Sequence, residues 1–129
     1  MLSFTHRPAS KAGAPRLALI HSLALDRRVW DGVVSRLEGD VELLAYDCRG
    51  HGQSPKSPAP YTAPLFARDL AELFDTVGWT RAAVTLDLSS WARRRGPTKA
   101  AISTSCTATW EMPPASMPGW IGASVRAAR

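Results

Sequence analysis

The sequence predicts an α/β fold with a parallel sheet, its elements in the order strand, helix, strand, helix, strand. Three observations support this. Short apolar runs lie near residues 17–20, 41–46 and 82–84, the stretches between them carry apolar residues at helical spacing, and after Val84 neither period is sustained.

The first run, Leu17-Ala18-Leu19-Ile20, follows Pro15 and has no polar alternation, as expected of a strand covered on both faces. From Asp26 to Leu37 the residues Val29, Trp30, Val33, Val34 and Leu37 predict a helix, with Asp26 as its amino cap and Gly39 and Asp40 at its stop. Val41, Leu43, Leu44, Ala45 and Tyr46 form the second strand, which feeds a Gly- and Pro-rich loop from Arg49 to Pro60. Thr62 caps the next helix and Pro64 suits its first turn. Its stripe is Leu65, Phe66, Leu70, Leu73, Phe74 and Val77, and Gly78 ends it. Ala82, Ala83 and Val84, extended toward Leu86, make the third strand. This divides the chain into a lead segment 1–15, a partial domain 16–86 and a poorly ordered tail 87–129.

Length and charge narrow the function classes. A chain of 129 residues with 45% hydrophobic content can fill one modest core. The formal charge of +5 is unevenly spread: up to Val84 it is +1, and from Thr85 onward +4. The basic excess belongs to the tail, where Arg93-Arg94-Arg95 and Lys99 are not interleaved with Trp91, Trp110 and Trp120, so nucleic acid is not an expected partner. Leu17–Leu25 is too short and too polar at His21 and Ser22 to cross a bilayer, so no membrane association is expected. Met1–Gly13 lacks a continuous apolar stretch and does not read as a secretory signal. Cys48 and Cys106 stand outside any metal-binding spacing and read as reduced thiols, which together with the above points to the cytoplasm.

Two segments carry chemistry. His21-Ser22-Leu23-Ala24-Leu25-Asp26-Arg27-Arg28-Val29-Trp30-Asp31 follows the first strand, and Tyr46-Asp47-Cys48-Arg49-Gly50-His51-Gly52-Gln53-Ser54 follows the second. Together they resemble the α/β-hydrolase superfamily, and within it esterases and lactonases of the 3-oxoadipate enol-lactonase kind, over about half the chain. The resemblance implies that the Leu23 backbone N–H is an oxyanion-hole donor, with His21 and Ser22 shaping the turn. Ser22 stands where many relatives have glycine, which leaves a main-chain donor intact. The imidazole of His21 reads as a strand-end group bonded to neighbouring backbone and not as a catalytic base. Gly50 and Gly52 are expected to supply positive φ or close backbone approach, and Asp47 and Arg49 read as partners that fix the loop ending at Ser54. In relatives these residues brace the site. The implied substrates are small-molecule esters or lactones, and the chemistry calls for no metal or organic cofactor.

The rest of the family's machinery is not found in the sequence. A Gly-x-Ser-x-Gly turn is expected directly after the third strand, yet Leu86 and Leu88 fall where the first glycine and the nucleophile belong. Ser89 is one residue out of place, between Asp87 and Trp91, and is a weak nucleophile candidate. The histidines, His6, His21 and His51, all precede this point, so no Ser…Asp…His order can be assembled. The third strand is then expected to leave an open sheet edge that promotes self-association. The favoured reading is an inactive fragment, truncated or frameshifted near Thr85. The alternatives are a fragment that binds a ligand or partner without catalysis, and a basic tail that binds anionic surfaces.

Overall fold

The structure, a computed structural model, describes residues 1–87 and the strand at 105–111. Its strands are β1 (Phe4–Arg7), β2 (Arg16–Ile20), β3 (Glu42–Tyr46), β4 (Arg81–Asp87) and β5 (Ser105–Glu111); its helices are α1 (Asp31–Leu37) and α2 (Ala63–Val77). They form one sheet of order β1-β3-β2-β4-β5. The centre is parallel as expected: Ala18 faces Leu44 on one side and Val84 on the other. Both outer strands run antiparallel to their neighbours, so the sheet is mixed.

The period of two along the inner strands sorts side chains onto two faces. Ala18, Leu44 and Tyr46 join Leu70, Leu73, Phe74 and Trp79 under α2. Leu19, Leu43 and Ala45 point the other way, against Trp30, Val34 and Leu37 of the α1 side. The two helices therefore cover opposite faces. The α2 face is the heavier one, because Trp79, Tyr46 and Phe74 are each at most 1% exposed. Burying an aromatic of this size stabilises by about 2–3 kcal/mol.

Local signals act where the residues place them. Thr62 accepts the Leu65 amide at 3.4 Å, and Gly78, at φ 72°, takes the left-handed cap of α2. Asp26 accepts the Arg28 amide at 2.9 Å, but the helix it caps is divided. Arg27–Trp30 is a tight 3₁₀ turn, and α1 begins only at Asp31. β3 starts one residue later than read, and β4 is longer, running from Arg81 to Asp87.

Two expectations are corrected. The sequence predicts no strand in the lead segment, yet Phe4–Arg7 pairs with Leu43–Tyr46, because pairing with the edge of β3 satisfies backbone groups that a short polar stretch does not advertise in its pattern. The open edge expected at β4 is occupied by β5, in register from Arg81 with Glu111 to Asp87 with Ser105. A strand thus lies inside the tail, which reads as having no sustained period. Its residues do alternate, with Cys106, Ala108 and Trp110 set between Ser105, Thr107, Thr109 and Glu111, so a period of two over seven residues is present in the sequence.

Candidate functional site

The strand order places the site. From β2 the chain crosses by α1 to β3 on one side, and from β3 by α2 to β4 on the other, so the direction of winding reverses at β2. In open α/β sheets a crevice forms at the carboxyl ends of the strands flanking that reversal. Here these are β2, whose following turn holds Leu23, and β4, which ends at Asp87.

The turn after β2 is tight. The Leu25 amide donates to Ser22 C=O at 3.2 Å, and Ala24 between them sits at φ 65°, a left-handed conformation uncommon for a residue with Cβ. Leu23 is 62% exposed, and among the described residues its amide has no acceptor. A main-chain donor without an acceptor among the described residues, in a turn with a left-handed residue at the carboxyl end of β2, is of the kind that can bind an anion.

His21 anchors one end of this turn. Its ring is buried, with Nε2 2.9 Å from the Cys48 amide and Nδ1 2.9 Å from Ser22 C=O. An amide can only donate, so Nε2 accepts and Nδ1–H donates, which specifies the neutral Nδ1–H tautomer. With both nitrogens bonded to backbone, the imidazole has no lone pair left for proton abstraction. His51 lies beside it, ring centroids 5.1 Å apart, with Nδ1 3.1 Å from Arg49 C=O. Ser22, also buried, has a polar contact of its own.

Asp47 anchors the other end. Its carboxylate, 2% exposed, accepts the Arg27 amide at 2.8 Å and the Gln53 amide at 2.9 Å, and forms an ion pair with the Arg27 guanidinium. Ser54 Oγ donates to Asp47 C=O at 2.5 Å. Asp47 and Arg49 are therefore not partners of one another. Asp47 continues the alternation of Leu43 and Ala45 onto the α1 face, whereas the chain then turns through Cys48–His51, and Arg49 swings to the α2 face. There it grips buried Asp69, Nε to Oδ2 at 3.0 Å and Nη2 to Oδ1 at 2.5 Å, which raises the guanidinium's already high pKa further.

The glycines answer two needs. Gly52, at φ 48°, lies so near Asp47 that a Cβ would collide with its carboxylate. At Gly50, φ 81°, a Cβ would come within 2.8 Å of the Tyr61 hydroxyl, which donates to Ser57 C=O at 2.6 Å. Cys48, between the two anchors, is a free thiol whose pKa is pushed up to about 11, first by burial and further by the charges of Asp47 and Asp69. It stays protonated at neutral pH and offers no nucleophile.

Ser89 lies outside the described residues. β4 runs as regular strand through Leu86, paired with Ile20 and Cys106. Among the described residues no cluster of three metal-ligating side chains occurs, and no helix is long and apolar enough to cross a membrane. Sequence reasoning missed Ser3, Arg27, Gln53 and Asp69 as members of the site. Only Asp69 left a trace: an acid among Phe66, Leu70 and Leu73 on the buried stripe of α2 calls for a partner.

Comparison with known proteins bears on the fold. No family model matches the chain. Over 73 residues it is 36% identical to a protein of Enterobacter cloacae named as carbamate hydrolase RutD, covering 56% of this chain and 27% of that one. Among solved structures it resembles an enol-lactonase from Burkholderia xenovorans, with TM-score 0.60 and 32% identity over 64% of this chain and 32% of the other. It also resembles a thermophilic esterase from Thermogutta terrifontis, with TM-score 0.55 and 28% identity over 60% and 27% of the two chains. The chain thus spans about a third or less of the length of these relatives. The matched part has the fold of the amino-terminal portion of an α/β-hydrolase.

Proposed function

We propose that the chain carries the oxyanion half of a serine hydrolase for small esters or lactones, without the nucleophile and base, and that it has no turnover above background. The observation that carries this reading is the Leu23 amide, lacking an acceptor among the described residues, at the carboxyl end of β2 where the sheet reverses its winding. In acyl transfer such an amide stabilises the negative oxygen of a tetrahedral intermediate. It does not create the intermediate, which needs an activated hydroxyl and a proton acceptor. His21 is spent on backbone, and the Cys48 thiol is held protonated. Ser89 lacks the small neighbours of a nucleophile turn.

The same reading takes residues 16–86 as the partial domain and residues 87–129 as sequence foreign to the family, from a frameshift near Thr85 or a truncation. Translating the other two frames across the Val84 codon tests it: a Gly-x-Ser-x-Gly close downstream is expected, and its lack in both frames rejects the frameshift. For activity, the purified chain and its Ser89→Ala variant are compared on p-nitrophenyl acetate. Equal rates at the buffer background are expected, and a rate that Ser89→Ala abolishes sinks the reading. The second reading, non-catalytic ligand or partner binding, is favoured by the 62% exposure of Leu23, a large apolar residue at the same turn.

A further inference from the structure

The lead segment enters the site at one residue, just before β1. Every polar group of Ser3 is engaged: its amide donates to Ser54 Oγ at 2.8 Å, its carbonyl accepts the Asp47 amide at 2.9 Å, and its Oγ accepts Arg27 Nη1 at 2.7 Å. Arg27 is the first residue after the Ser22–Asp26 turn, and its other contacts are to Asp47 and, at 3.2 Å, to Gln53 Oε1.

We propose that Ser3 is a positioning residue for the Leu23 amide, acting through the Arg27 guanidinium. The inference rests on Leu23 N–H being the oxyanion donor. Asp47 and Gln53 belong to one loop, so alone they tie the Leu23 turn to that loop and let the two move together. Ser3 lies on a different chain segment, one residue before the Phe4 to Tyr46 pairing of β1 with β3. It gives the planar guanidinium a third anchor, referred to the sheet, where two would leave a hinge. His21 holds the opposite end of the turn, so the amide between is fixed from both sides.

The test uses the ¹⁵N-labelled full chain and three variants. Ser3→Ala removes Oγ, Ser3→Thr retains a hydroxyl, and His6→Ala weakens β1 at its other end by deleting the 3.0 Å bond to Glu42. Ser3→Ala is expected to displace the Leu23 and Ala24 amide resonances. It should also speed exchange of the Leu25 amide about fivefold, the loss expected for one hydrogen bond. Ser3→Thr is expected to restore both, and His6→Ala to lower the melting temperature without moving either. Unchanged Leu23–Leu25 signals in Ser3→Ala, or equal displacement by His6→Ala, overturns the proposal. An acetate titration of the unaltered chain separates the underlying reading: a Leu23 amide that never responds refutes the donor, whatever Ser3 does.

Discussion

Two carboxylates flank β3, and they are used differently. At the amino end, Glu42 receives side-chain donors only: Trp79 Nε1 at 2.8 Å, Arg16 Nε at 3.0 Å and His6 Nε2 at 3.0 Å. These come from β1, β2 and the link between α2 and β4, so Glu42 joins elements that could each move as a rigid piece. At the carboxyl end, Asp47 receives two main-chain amides besides its guanidinium, and main-chain donors define the path of a loop. The amino end is a fastening and the carboxyl end a mould. Only the second lies at the carboxyl ends of the strands, where open α/β sheets form their crevice, so the pocket of about 690 Å³ among Lys11, Arg16, Glu42 and Arg81, at the amino end, belongs to the fastening and not to the site.

The contrast is broken most directly by removing each carboxylate. Asp47→Ala leaves a largely buried guanidinium and two amides without their acceptor, and is expected to destabilise by about 3–4 kcal/mol in urea unfolding. Glu42→Ala should lose about half as much, since the Arg16 and His6 donors it frees are partly exposed and only the Trp79 Nε1–H is left buried. Equal losses would refute the distinction. A smaller effect sharpens it at the glycines. Gly52→Ala should cost more than Gly78→Ala, whose loss of about 1 kcal/mol reflects positive φ alone, because no atom lies within 4 Å of a Cβ at Gly78. Thermal melts of the pair give the difference, and a Gly52→Ala loss no larger than that of Gly78→Ala would show that the mould yields.

The smallest effect is in pH. Burial raises the Glu42 pKa, but the bonds from Trp79, Arg16 and His6 outweigh it and leave the group below its ordinary 4.5. A depressed carboxylate contributes stability that is complete above pH 4.5 and is lost as pH falls through the lower folded value. Glu42→Gln should therefore be less stable than the unaltered chain near neutrality, with the gap closing below pH 4.5. A gap that widens on acidification would reverse the assignment.

Much of the frame was legible before any coordinates. Ala18, Leu44 and Val84 are neighbours in the sheet as their apolar runs implied, and Thr62 and Gly78 bound α2 where capping chemistry puts them. The site was legible in part. His21, Ser22 and Leu23 could be placed after β2 and Asp47 to Ser54 after β3, but their bonds could not. Asp47 to Arg27 and Arg49 to Asp69 each span twenty residues, and no local pattern encodes such a choice.

By itself the sequence determined the order of strands and helices in residues 16–86 and the Thr62 and Gly78 caps of α2, because burial and capping act through spacings of two to four residues along the chain. Tertiary structure alone decided that Phe4–Arg7 and Ser105–Glu111 complete the sheet, that Ser3 reaches Arg27, and that His21 is tied to the Cys48 amide. Each of those contacts satisfies a polar group with a partner far away in sequence. Which distant group arrives is settled by the packing of the whole sheet, not by the residues on either side.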